Sequence, residues 1–122
     1  SRNESGLKKA IVNLKDLKES FWKDVKVLGD SDSLNLELEK AGRVADLIEL
    51  GEVMVHDALQ RKESCGAHFR EEYQTDEGEA LRNDDDFTNV FAWAYKNAES
   101  EPKLNIENLT FENVSLSQRS YK

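Results

Sequence analysis

The run RKESCGAHFREEY, residues 61 to 73, holds the chain's one cysteine and one of its two histidines, three positions apart, ahead of a burst of Arg and Glu. A thiol and an imidazole at this spacing suggest two chemistries. As zinc ligands, Cys65 and His68 would need a third and a fourth soft or imidazole donor. The chain offers only His56, one helical turn after Glu52 in another segment. As nucleophile and base, the pair lacks the orienting Asn or Asp and the oxyanion donors that such dyads draw from distant sequence. A small thiol lining the inside of a tight turn is the reading that the residues favour. No catalytic, cofactor-binding or metal role is assigned on this basis.

Other candidates are weaker still. The six glycines are scattered, and neither GxGxxG nor GxxxxGK[ST] occurs, so no phosphate cradle is expected. The carboxylates at Glu71-Glu72, Asp76-Glu77 and Asp84-Asp85-Asp86 lack the alternating oxygen spacing of a calcium loop. They read as solvated loop charge and capping residues. The sequons at Asn3, Asn108 and Asn113 have no secretory context, so glycosylation is discounted.

The elements that must carry the CGAH turn are helical. Leu7, Ala10, Ile11, Leu14, Leu17, Phe21 and Val25 recur three or four apart, predicting a helix over 7–25 with Lys15 and Lys18 turned outward. Gly29 and the DSDS run stop it and offer Asp32 or Ser33 as the next N-cap. From Leu34 to about Arg61 a second helix carries two apolar lines. One runs through Leu38, Ala41, Ala45, Ile48, Val55 and Leu59, the other through Val44, Leu47, Gly51, Met54 and Ala58. One neighbouring helix covers one line, so the second calls for another cover. QTDEGEALRNDDD reads as a polar loop. FTNVFAWAY alternates with period two and predicts a strand from Phe87, pairing with LNIENLTFENV, where a bulge near Asn108 would bring Leu104 and Ile106 into phase with Leu109 and Phe111.

The expected fold is therefore mainly α with a small β part: an antiparallel helical bundle of spectrin-repeat type, then a C-terminal β-hairpin. The chain divides into 1–78, helices and turn, and 79–122, loop and hairpin. At 122 residues it is one domain, and 38% hydrophobic with 34% charged residues fits a globular exterior rather than disorder. A net charge of −8 repels phosphate backbones, so no nucleic-acid partner is expected. The polar N-terminus has no apolar signal-peptide core, and a lone cysteine suits a reducing compartment.

At ELGEVMVHDALQRKESCGAHFREEY the chain resembles the C-terminal domain of succinate dehydrogenase and fumarate reductase flavoprotein subunits. The matching residues are Glu49, Leu50, Met54, Ala58, Arg61, Glu63, Ser64, Gly66, Ala67, His68, Arg70 and Tyr73, then Arg82, Asp84, Asp85 and Phe87, and finally Arg119 and Tyr121. L-aspartate oxidase and adenylylsulfate reductase are related in architecture. Cys65 stands where much of the family has arginine, as in a bacterial branch with a diheme membrane anchor. The resemblance implies a parent enzyme that interconverts succinate and fumarate with FAD and passes electrons to an iron-sulfur subunit. The FAD site and substrate residues lie in parts not matched here, so this chain would hold no cofactor and turn over nothing alone. Its implied partners are the flavin-binding domain of the same subunit, the iron-sulfur subunit and, indirectly, a membrane anchor, at the cytoplasmic side of a bacterial inner membrane. The family's first helix would precede Ser1 and cover the spare apolar line. Ser64, Cys65, Gly66, His68 and Arg70 are then expected to form an interdomain docking turn, with Arg70, Glu71 and Glu72 free to pair with another surface. The alternative is a stand-alone helical module whose exposed stripe binds another protein.

Overall fold

In the computed structural model, residues 1–30, 32–97 and 100–118 are described. Helix α1 spans Glu4–Asp24 and begins where the Asn3 side chain accepts the Gly6 N–H at 2.8 Å. An Asn at this position satisfies a donor that the first turn leaves without a partner. Leu7, Ala10, Ile11, Leu14 and Phe21 turn inward as their spacing predicts. Leu17 does not: it is exposed, and Lys18 takes the inward position instead. Lys18 lies seven residues after Ile11 and four after Leu14, closer to the centre of the stripe, and its ammonium bridges to Glu49 and Glu52. Burial alone would lower the Lys18 pKa, but the hydrogen bond and charge of Glu52, with Glu49 beside it, outweigh that and hold it above the usual lysine value.

Helix α2 spans Leu36–Gln60. Its N-cap is Asn35 rather than Asp32 or Ser33, because the Asn35 carboxamide accepts from both Glu37 and Leu38 N–H while donating to the Leu28 carbonyl. That double use ties the helix start back to the end of the preceding segment. Contacts run in opposite senses along the two helices, from Leu14 beside Gly51 to Phe21 beside Ala41 and Val44, so α1 and α2 form an antiparallel pair.

The expected loop after the CGAH turn is itself folded back, with Gln74 bridging Ala80 around Gly78, whose φ of 82° suits glycine. One helical turn, α3 (Asp84–Phe87), follows, capped by Asn83, so the strand expected from Phe87 starts two residues later. Strand β1 (Asn89–Ala94) pairs antiparallel with β2 (Lys103–Asn108), with Phe91 opposite Ile106 and Trp93 opposite Leu104. No bulge is needed near Asn108. The ladder simply ends there, Leu109 donates to the Thr88 carbonyl, and Leu109 and Phe111 lie beyond the paired residues. The hairpin docks on α2 through Trp93, whose indole N–H donates to Asp57 at 2.9 Å and whose ring lies against His56. The expected ending at Arg119 and Tyr121 lies outside the described residues.

The chain is thus mostly helical with a small antiparallel hairpin near its C-terminal end. Among the described residues the buried apolar side chains are Leu7, Ile48 and Ala58. The second apolar line of α2 is only partly open: Val44, Leu47 and Met54 are exposed, with Leu50 and Leu36 alongside, whereas Gly51 faces Leu14 of α1 and Ala58 is buried beneath the turn. An open apolar hollow of about 520 Å³ continues it past Phe21, Val25 and Ala41. Among the described residues no helix is long and apolar enough to cross a membrane.

Candidate functional site

The ESCGAHFRE turn joins the two helix ends that the antiparallel pairing brings side by side. A helix ends with carbonyls lacking partners and a partial negative charge, and begins with N–H groups and a partial positive charge. Helix α2 has no basic residue in its last turn. Arg70 supplies the missing cation from outside the helix. Its guanidinium donates to the Ala58 carbonyl at 2.9 Å and the Leu59 carbonyl at 3.3 Å, and it lies over the Tyr73 ring. At 1% exposure it is the largest side chain fully buried among the described residues. Arg70 was expected to be free for another surface, and its burial overturns that expectation.

Its neighbours hold it there. Ser64, fully buried, donates its hydroxyl to the Arg70 carbonyl and accepts the Arg70 N–H at 2.8 Å, clamping one residue's backbone from both sides. The Ser64 N–H reaches the Leu81 carbonyl. Glu63, 3% exposed, pairs with Arg61 at 2.8 Å and accepts the Asn83 N–H. His68 places its Nε2 3.0 Å from the Arg61 carbonyl, just past the helix end. Gly66 has a φ of 57°, the left-handed region, and a Cβ built there meets nothing within 4 Å. Glycine is needed at this point for its φ alone and not for close approach.

The far side of the turn serves α1. Arg2 pairs with the backbone beside Arg70, donating to the Phe69 carbonyl and accepting from Glu71 N–H. Glu72 accepts the Glu4 N–H at the start of α1 and receives Arg70 Nε at 3.1 Å. One short run therefore sets a cation on the negative end of α2, an anion on the positive end of α1, and links the two. The Glu4 N–H bond, then Arg70, holds the Glu72 carboxyl below the usual glutamate range; Ser1 and Asn3 do the same for Glu71. A carboxylate with a depressed native pKa stabilises above its unfolded pKa, and that contribution disappears as pH falls through the native value. The Glu4 amide should therefore lose hydrogen-exchange protection on acidification below the ordinary carboxylate range. In Glu72→Gln, whose amide oxygen still accepts but does not titrate, this pH dependence should vanish.

Cys65, Gly66 and Ala67 form the exposed tip. Cys65 was expected to fill the inside of the turn; it points out, because the bridge between Cys65 and His68 turns their backbone groups inward and leaves its thiol in solvent. Folded protein should react with a thiol reagent such as dithionitrobenzoate at close to the rate of the urea-unfolded chain, and Cys65→Arg should shift stability by less than about 0.5 kcal/mol. A protected thiol would contradict the exposed placement.

Cys65, His68 and His56 do not converge, and among the described residues no group of three His, Cys, Asp or Glu is placed to hold a metal. Nor do the residues fit a flavin. The left-handed glycines Gly29, Gly66 and Gly78 do not open a helix after a strand, and the hollows are open surface grooves. Sequence reasoning missed Arg61 as a site residue. Its guanidinium donates to the Phe87 and Asn89 carbonyls at 3.2 and 3.1 Å and lies 4.5 Å from the Phe91 ring centre, anchoring the hairpin to the turn. Two aromatics four apart after an Arg-rich turn were the signal available.

The family model described as fumarate reductase flavoprotein C-term matches residues 1–121. The fumarate reductase flavoprotein subunits of Serratia sp. (strain ATCC 39006) and Escherichia coli (strain K12) are 31% and 30% identical over 115 residues, 94% of this chain and 18% of each relative. An uncharacterised FAD-dependent oxidoreductase of Methanocaldococcus jannaschii is 35% identical over 72 residues, 59% of this chain and 12% of its own length. The chain thus spans about a fifth of the length of the curated relatives that it matches.

Proposed function

Because this chain belongs to the fumarate reductase flavoprotein C-terminal family, we propose that it braces and docks the flavin-binding part of a succinate-fumarate oxidoreductase and carries no reacting group itself. The parent protein interconverts succinate and fumarate with FAD and passes electrons to an iron-sulfur subunit, peripherally at the cytoplasmic face of a membrane that holds an anchor subunit. The flavin belongs to sequence outside residues 1–122, consistent with the poor fit of any groove here.

The observation that carries this reading is the uncovered apolar stripe of α2. Leu47 is 64% exposed and Met54 55%, with Leu50 and Leu36 beside them, on a helix already packed on α1 along another face. Contiguous apolar surface of this kind marks an interface. Ser64 and Arg70 contribute to the docking turn from within, by fixing its shape, while Cys65, Gly66 and the half-buried His68 present it.

The test is Leu47→Asp with Met54→Asp in the full-length flavoprotein. The expected result is loss of flavin retention and subunit assembly. Wild-type flavin content, assembly and turnover in that variant, and likewise in Gly66→Ala with His68→Ala, would show that neither surface docks anything.

A further inference from the structure

The free edge of the hairpin carries side chains in a self-matching order. The sheet has two strands, so among the described residues one edge of β2 has no neighbouring strand. Antiparallel partners exchange both backbone hydrogen bonds at every second pair. Leu109 donates to the Thr88 carbonyl, which puts the exchanging pairs of the same register at Val90 with Glu107, Ala92 with Asn105 and Ala94 with Lys103. The N–H and carbonyl groups of Leu104, Ile106 and Asn108 therefore point away from β1, and an edge of this kind is a template for another strand. The outer edge of β1 is less open, because Arg61 already donates to the Asn89 carbonyl there. Ile106 is 58% exposed on the face that it shares with Leu104 and Trp93, so β2 also keeps apolar area in water.

We infer that β2 pairs antiparallel with β2 of a second copy of this chain, about a two-fold axis at Asn105, joining two hairpins into one sheet. An axis there sets Lys103 opposite Glu107 of the second copy, twice by symmetry, and Leu104 opposite Ile106; all but Leu104 of these are exposed. Pairing through the outward backbone groups restricts the axis to a residue of β2. Moved one residue either way, to Leu104 or Ile106, it sets Lys103 opposite Asn105 or Leu109 and forfeits both ion pairs. A second copy is favoured over an unrelated strand because the charge order is complementary to itself. A two-fold contact uses the same patch on both copies and closes at the dimer. Pro102, which has no N–H, stands opposite Asn108 in this register and ends the ladder. The inference concerns a surface that the proposed docking role does not use.

The test is disulfide trapping and sedimentation of the purified full-length flavoprotein assembly. At the axis the two Asn105 Cα atoms would stand about 4.5 Å apart, the spacing of a non-exchanging antiparallel pair and within reach of a disulfide. Under mild oxidation Asn105→Cys in a Cys65→Ala background should link two copies. Asn108→Cys in the same background, about 20 Å along the strand from its own counterpart, should not. Lys103→Glu should weaken the association about tenfold, because it opposes like charges in two symmetric pairs. Lys103→Glu with Glu107→Lys should restore it. An assembly holding a single copy, equal linking from position 108, or no rescue by the double reversal would overturn the inference. So would a disulfide from position 105 to a different polypeptide, which would give the edge to a foreign strand. Flavin retention is read separately, so a failed α2 test with intact Asn105→Cys links would remove only the earlier proposal.

Discussion

Arg70→Ala should lower the unfolding free energy by about 3–5 kcal/mol, from emptying a fully buried site and leaving the Ala58 and Leu59 carbonyls without their charged donor. Against a total stability of about 5–15 kcal/mol for a domain, that leaves a chain barely folded. The loss has three parts in this structure. The Ala58 and Leu59 carbonyls lose their donor at the buried end of α2, Ser64 keeps its backbone partner but loses the packed side chain beyond it, and Glu72 retains the α1 N-terminus without a counter-charge. Arg70→Lys should recover only part of this. A single ammonium restores charge at the helix end but does not reach both carbonyls and Glu72 with a planar fork. Urea unfolding followed by circular dichroism reads the effect, and an Arg70→Ala midpoint close to wild type would refute the helix-capping role.

What was legible in the sequence followed from periodicity. The two helices, the antiparallel hairpin and three of the five residues of the spare line of α2 appear where three-four or two-residue spacing put them, because those patterns report which face must leave water; Gly51 and Ala58 of that line are covered. Three of the failures share one cause. Arg70, Lys18 and Arg61 are charged types, and charge predicts exposure unless the partner is known. Apart from Glu72, Tyr73 and Glu63, two or three residues on from Arg70 and Arg61, their partners lie ten or more residues away, as carbonyls at a helix end or carboxylates across an interface, and no local pattern marks them. Cys65 failed for the converse reason: a small thiol is commonly buried, but here the backbone pairing of Cys65 with His68 decides which way it points. The ESxGAHxR pattern was readable as a resemblance, whereas its physical content became visible only when α1 and α2 brought their ends to the same place. Glu63, Ser64, Gly66, His68 and Arg70 are one capping device read out along the chain.

That device extends to the hairpin through Arg61, and this gives the second large effect. Arg61→Ala should cost about 3 kcal/mol, because Glu63, 3% exposed, would then keep its charge against the Asn83 N–H alone, while the Phe87 and Asn89 carbonyls and the Phe91 ring lose their cation. The loss should be regional. A two-stranded hairpin is marginal by itself, so amides of β1 and β2 should exchange faster by a large factor while those in the middle of α2 keep their protection, unlike Arg70→Ala, which loosens the helix ends. Adding Glu63→Gln should restore stability relative to Arg61→Ala alone, since the stranded charge is then removed. Equal instability of the single and double variants, or uniform loss of protection across helices and hairpin, would mean that Arg61 acts by general packing and not as the link between the turn and the sheet.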